Sequence, residues 1–242
     1  MVSVDIYAVR LEADAARLDS LFEILAPEER ERAMRFHFAE HRRHYIVCRG
    51  TLREILSRYV ELKPARIAFV YNRHGKPSVS KSPPGSEVRF NVSHSGGWAL
   101  QAVTRDCEVG IDIERINSSF VRERIPEHFF SPREVTQLRA LPEDQQTAAF
   151  FRCWTRKEAY IKARGLGMAL PLDSFDVSLG PDDPPALLRA GNWSVQDLSG
   201  RDSGPEFNVP PGYAAAVVAD GPVFTAIACP VPEAALRELR RS

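Results

Sequence analysis

Apolar and polar residues alternate over residues 3–10, the period of a strand with one buried face. The period then lengthens. Leu21–Leu25 leads through Pro27 into the charged helical stretch EERERAMRFHF. From His41 to Leu62, Tyr45, Leu52, Ile55, Leu56 and Tyr59 recur at roughly helical spacing. Two strand-like stretches follow, ARIAFVYNRHGKPSV and, over residues 88–104, VRFNVSHSGGWALQAVT. The first half therefore reads as helix, then strand, turn and strand.

After the connector RDCE comes a strand, VGIDIERI, at residues 109–116. Pro126 to Leu141 carries a short helix opened by the cap signal Ser131-Pro132-Arg133-Glu134. Residues 145–164, QQTAAFFRCWTRKEAYIKAR, form a strong amphipathic helix, and LDSFDVSL, WSVQDL and GYAAAVVA follow, separated by loops. That order repeats the first half. Trp98–Val103 and Tyr213–Val218 each place an aromatic and a small-residue strand after a tight turn. The expected fold is α+β, a pseudo-dimer of two similar halves, residues 1–106 and 107–242; chance likeness of two generic helix–strand runs is the competing explanation.

The 242 residues, 44% of them hydrophobic, suffice for one large domain or two closely packed halves. Acidic and basic residues balance at 32 each, so no global field draws the chain to nucleic acid or membrane. An anionic ligand must be met by a local cluster. Cys48, Cys107, Cys153 and Cys229 form no CxxC pair, which implies reduced thiols. With no basic leader and no apolar run long enough to span a bilayer, the expectation is a soluble cytoplasmic protein.

Side chains two apart on a strand share a face, so Gly110, Asp112 and Glu114 project one way and Val109, Ile111 and Ile113 the other. Two adjacent carboxylates repel unless a cation neutralises them, and hard oxygen ligands with room for water suit Mg²⁺; a solvated acidic face is the plainer alternative. Glu158 and Lys162 share a helix face one turn beyond Trp154, which also describes an ordinary helix salt bridge. Asn91-Val92-Ser93-His94-Ser95-Gly96-Gly97-Trp98 offers hydroxyls, an imidazole and glycine N–H groups to an anion, or is simply a turn. His74-Gly75-Lys76-Pro77 is a second candidate phosphate or nucleotide contact, though by itself merely a turn.

Taken in order, the basic N-terminal helix, the GKP turn, NVSHSG, GIDIE, FFSPRE, WTRKEAYIKARGLGMALPLDSF and the PGY turn resemble the 4′-phosphopantetheinyl transferases of the surfactin-synthetase-activating type. The resemblance covers most of the chain. It implies a pseudo-dimer with coenzyme A and Mg²⁺ in the cleft between the halves. It further implies Asp112, Glu114 and Glu158 as metal ligands and Lys162 as a contact to the coenzyme A diphosphate. Ser93 and His94 would hold phosphate groups, and Gly75, Lys76 and Pro77 would line the adenine and 3′-phosphate pocket. Arg32 aligns with a basic position of that pocket, whereas Glu29 stands at a neighbouring basic one. Where the family has an arginine at the start of the long helix, His44 precedes Tyr45, with Arg42 and Arg43 upstream, so Arg42, Arg43 and His44 are all candidates for the 3′-phosphate.

The implied reaction is attack by a carrier-protein serine on the β-phosphate of coenzyme A, with Glu158 as base and Asp112 and Lys162 completing the catalytic set. A silent coenzyme A-binding or carrier-docking module, or an unrelated Mg²⁺-dependent phosphohydrolase, are the competing classes. The first would need a broken carboxylate triad and the second a Walker-type loop or denser Asp/His set; neither is present. The partner expected is an apo acyl or peptidyl carrier protein, met by a monomer at Phe129, Phe130 and Ser131 with Arg122, Arg124 and Arg133 around them. Core packing of one or both phenylalanines is the alternative there.

Overall fold

The computed structural model describes residues 2–80, 87–105, 107–117, 125–188, 190–199 and 207–232. Strand β1 (Val2–Arg10) buries Val4, Ile6, Tyr7 and Val9, and is followed by α1 (Ala15–Glu23), α2 (Pro27–Met34) and α3 (Ala39–Val60). The sequence pattern left α1 unread, because its nine residues cover too few turns for a period; Asp14 caps it by accepting the Arg17 N–H at 2.7 Å. Strands β2 (Phe69–Tyr71) and β3 (Pro77–Val79) make a small hairpin. The stretch 88–104 folds as two antiparallel strands, β4 (Arg89–Ser95) and β5 (Trp98–Thr104), because Gly96 and Gly97 take positive φ and turn the chain.

Strand β6 (Val109–Arg115) leads to α4 (Ile125–Phe129), α5 (Pro132–Ala140) and α6 (Glu143–Arg164). The predicted cap of α5 is formed: Ser131 Oγ accepts the Glu134 N–H, and Glu134 Oε2 accepts the Ser131 N–H at 2.9 Å. Short strands β7 (Asp176–Val177) and β8 (Leu187–Leu188) precede β9 (Trp193–Asp197), β10 (Tyr213–Asp220) and β11 (Phe224–Ala228). One sheet has the order β11-β1-β5-β4 and the other β6-β10-β9. Strand β11 thus returns from the second half to pair in parallel with β1.

Alternation decides what each sheet faces. Ile111, Ile113, Ala215 and Val217 share a core with Val4, Ile6, Leu100 and Ala102 of the other sheet, while Ala214, Ala216 and Val218 turn toward α6. Tyr7, Phe90 and Val103 pack on α3. The order of layers is helix, sheet, sheet, helix, as two α+β halves back to back require.

The duplication extends into the polar interior. In the first half Glu29, third residue of α2, accepts the Ala26 N–H at 2.9 Å and the Arg53 Nε–H at 2.7 Å, and Arg53 donates onward to the Pro64 and Ile67 carbonyls. In the second, Glu134, third residue of α5, pairs with Lys157 at 2.8 Å, and Lys157 donates to the Leu172 and Phe175 carbonyls. Both long helices have 22 residues, and each basic partner lies fourteen residues after its helix start. Glu29 is therefore a buried clamp between α2 and α3. No helix among the described residues is long and apolar enough to cross a membrane.

Candidate active site

Helix α6 reaches β6 through Gly110. A Cβ on that residue would stand 2.0 Å from the Ala159 carbonyl oxygen and 2.3 Å from the Ala163 nitrogen, so only glycine admits the helix this close. Ala159 and Ala163 directly follow Glu158 and Lys162. The approach at Gly110 consequently fixes both functional side chains over the strand that carries Asp112 and Glu114.

Strands β4 and β6 meet at the seam between the halves through side chains. Asn91 Oδ1 accepts the Ile111 N–H at 2.9 Å, Ser93 Oγ donates to Asp112 Oδ1 at 2.7 Å, and Ser95 Oγ donates to Glu114 Oε2 at 2.8 Å. Ser95 Oγ also accepts the Arg115 N–H at 3.1 Å. Every second residue of β4 thus meets β6. Lys162 completes the junction, its Nζ 2.6 Å from Asp112 Oδ1 and 2.9 Å from Ser93 Oγ.

The electrostatics of this seam are uneven. Asp112 is 1% exposed, and its Oδ2 is buried without a hydrogen-bond partner, an unusual state for a carboxylate oxygen. Burial, then the Asp112 charge, raises the Glu114 carboxyl above its ordinary range against the opposing pull of Ser95 and Lys162. Burial and Asp112 raise Glu158 likewise, with Lys162 opposing. An orphaned carboxylate oxygen and two carboxyls that resist ionisation are the conditions a hard cation relieves. Among the described residues no three His, Cys, Asp or Glu side chains form a ready metal cage. This oxygen-only set fits Mg²⁺, which commonly binds through one or two carboxylates plus water and phosphate oxygens.

Ser95 and Glu114 line a cavity at the seam with Trp154; two others share Pro77, Asn91 and Val92. One, about 560 Å³, is lined by Glu158, Lys162, Phe129 and the turn His74–Pro77. The other, about 700 Å³, gathers the guanidinium groups of Arg32, Arg49 and Arg115 and the imidazoles of His41, His44 and His94, with Glu40 among them. Burial, then the charges of Lys162 and His44, hold the His94 imidazole below its ordinary range, although its ring opens to the cavity. His44 lines this cavity and Arg43 is exposed outside the lining of both. Arg42 donates to the Phe36 carbonyl at 3.2 Å.

Ser93 is spent on Asp112 and Lys162 rather than turned toward a cavity. Phe130, expected as a docking anchor, is corrected to a core residue: it is 3% exposed and stacks on Phe150 at 5.2 Å, because the first turn of α5 needs an apolar contact on α6. Ser131 is likewise buried, bonded to Asp176. Phe129 is 43% exposed and meets Trp154 edge-on. Arg133 is exposed near Asp176, while Arg122 and Arg124 lie outside the described residues. Sequence reasoning named Ser95 only as part of the anion-loop candidate and did not single out Asn72, Arg49 or Arg115; the period of two that placed Asp112 and Glu114, applied to β4, would have set Ser95 against β6.

Two back-to-back α+β halves, a carboxylate–lysine cluster at their seam and an adjoining arginine- and histidine-lined cavity define the class of protein. A sequence model of the 4′-phosphopantetheinyl transferase superfamily matches residues 108–218, and one of the 4′-phosphopantetheinyl transferase N-terminal region matches residues 12–105. The chain is 39% identical to the 4′-phosphopantetheinyl transferase HetI of Nostoc sp., over 81% of this chain and 82% of that one. It is 34% identical to the 4′-phosphopantetheinyl transferase Sfp of Bacillus subtilis, over 83% and 84% respectively. The human L-aminoadipate-semialdehyde dehydrogenase-phosphopantetheinyl transferase is 32% identical over 65% of this chain and 53% of its own. The chain belongs to the 4′-phosphopantetheinyl transferase family.

Proposed function

We propose that this chain transfers the 4′-phosphopantetheine arm of coenzyme A to a serine of an apo acyl or peptidyl carrier protein, with the chemistry at the seam between the halves. The observation that carries the reading is the buried, unpartnered Oδ2 of Asp112, whose charge acts on the raised carboxyls of Glu114 and Glu158, with Lys162 alongside. Asp112, Glu114 and Glu158 would hold Mg²⁺, which when bound offsets charge on the diphosphate. The cavity lined by Arg32 and Arg49, with the His44 and His94 rings as hydrogen-bonding groups, suits the nucleotide end of coenzyme A.

The serine oxygen forms a bond to the β-phosphorus as the bond to the bridging oxygen breaks, and adenosine 3′,5′-bisphosphate leaves with the bonding electrons. Glu158, which faces the cavity, accepts the serine proton. Lys162 stabilises charge on the leaving oxygens. Exposed Phe129, at the mouth of the same cavity, together with Arg133 and with Arg122 and Arg124 of the adjoining segment, would receive an acidic carrier face. Incubation with coenzyme A, Mg²⁺ and a panel of apo-carriers, followed by mass measurement, tests this. A gain of one phosphopantetheine on the carrier is expected; coenzyme A binding without any gain identifies a silent module, and phosphate release alone a hydrolase.

A further inference from the structure

The turn between β2 and β3 belongs to the first half, but its polar contacts run to the second. Asn72 closes the turn: its Oδ1 accepts the N–H groups of His74 and Lys76, both at 2.9 Å, and its own N–H donates to the Lys76 carbonyl at 3.0 Å. Its Nδ2 then donates to the Gly165 carbonyl at 2.9 Å. Lys76 Nζ donates to Glu108 Oε2 at 2.6 Å, to the Ala163 carbonyl at 2.7 Å and to the Val109 carbonyl at 3.3 Å. Ala163 and Gly165 are at the C-terminal end of α6, where carbonyls lack intrahelical partners and a cation is favoured by the helix dipole.

Gly165 makes room for this contact. It caps α6 with φ +61°, and a Cβ there would stand 2.8 Å from Lys76 Cδ and 3.1 Å from Asn72 Nδ2. The turn is thus seated in the helix cap.

An ammonium has three donors, and here the chain itself supplies three acceptors. Lys76 is therefore committed within the protein, in contrast to the coenzyme A contact that the resemblance implies for it. The residue before Ala163 is Lys162, whose Nζ rests on Asp112, and Glu158 lies one turn earlier. We propose that Asn72 and Lys76 form a latch between the halves that sets the last turn of α6, and with it Glu158 and Lys162, against the seam. Lys76 is on this view a positioning residue. Its effect on turnover rests on the transferase reading above.

Two variants, Lys76→Met and Asn72→Asp, test the latch. Lys76→Met keeps the stem and removes the donors. Three quantities are measured: turnover at saturating coenzyme A, the dissociation constant for coenzyme A by calorimetry, and amide hydrogen exchange of the ligand-free protein. Both variants are expected to lose about 10- to 100-fold in kcat, since a misplacement near 1 Å costs on that order. Coenzyme A affinity should stay within about threefold, and exchange should quicken in the last turn of α6. Wild-type exchange and turnover in Asn72→Asp would overturn the latch. So would a rise of about tenfold or more in the coenzyme A dissociation constant of Lys76→Met with kcat intact, which would make Lys76 a ligand. Exchange and binding need no carrier, so absence of transfer by the wild type would count against the proposed function while the latch is still read from exchange.

Discussion

Replacing Gly110 by alanine tests how the site is assembled without touching a charged group. The added Cβ would sit 2.0 Å from the Ala159 oxygen and 2.9 Å from the Ala163 Cα, where ordinary contact begins at 3.4 Å. Both obstacles are backbone, so no side chain can rotate away, and α6 must retreat by about 1 Å. Overpacking of this kind costs about 1–3 kcal/mol. The same retreat carries Glu158 and Lys162 off Asp112, and a misplacement of that size is worth about 100-fold in rate. Urea denaturation and carrier modification at saturating coenzyme A and Mg²⁺, on one preparation of Gly110→Ala, measure the two effects. Stability within about 0.5 kcal/mol of wild type together with unchanged turnover would refute the reasoning, because the helix would then not depend on this glycine for its place.

Asp112→Asn keeps the shape of the side chain but leaves Lys162 without its carboxylate partner; transfer should fall at least about 100-fold with the circular dichroism spectrum unchanged, checked across a Mg²⁺ titration. Glu134→Gln leaves the 0%-exposed Lys157 ammonium without a counter-charge and should cost about 3–5 kcal/mol in denaturant unfolding. Burial works to raise the Glu29 carboxyl, but the bond from Arg53 and the charge of Arg49 outweigh it and hold the group below its ordinary value. Its contribution is accordingly present above the unfolded-state pKa and lost as pH falls through the lower folded-state one; Glu29→Gln should flatten that acid-side loss in a series of unfolding curves.

The sequence displayed what repeats within one element. Alternation over 109–116 placed Asp112 and Glu114 on one face, where Ser93 and Ser95 now meet them, and the helical spacing of Glu158 and Lys162 placed both on the face of α6 toward the seam. Contacts made across the fold were not legible in this way. Lys76 sits in a turn motif that reads as a ligand contact, and only the fold shows Ala163 and Glu108 beside its ammonium. Phe130 read as an anchor because it follows Phe129, yet the entry into α5 turns one ring to Trp154 and solvent and the other onto Phe150. Strand β11 was missed because five residues of half-buried alternation gain meaning only from their partner, β1.

The two buried clamps show why such a duplicated fold can host one asymmetric site. Each half ties its short helix to its long one with a glutamate at the third helical position and a base fourteen residues into the 22-residue helix. A threonine twelve residues into each long helix also bonds back to the carbonyl four residues earlier, Thr51 to Val47 and Thr155 to Phe151. With these polar networks satisfied, each half ties its short helix to its long one without drawing on the polar groups of the seam. Strand β4 could then present neutral side chains, Asn91, Ser93 and Ser95, where β6 presents acidic ones. Had both strands carried carboxylates, their repulsion would have opened the seam; hydroxyl donors on one side instead hold the acids of the other in place. Asp112 spends one oxygen on that junction and keeps the second unpartnered within reach of the charges of Glu158 and Glu114, so the strand that joins the halves also carries two of the three carboxylates proposed to hold Mg²⁺.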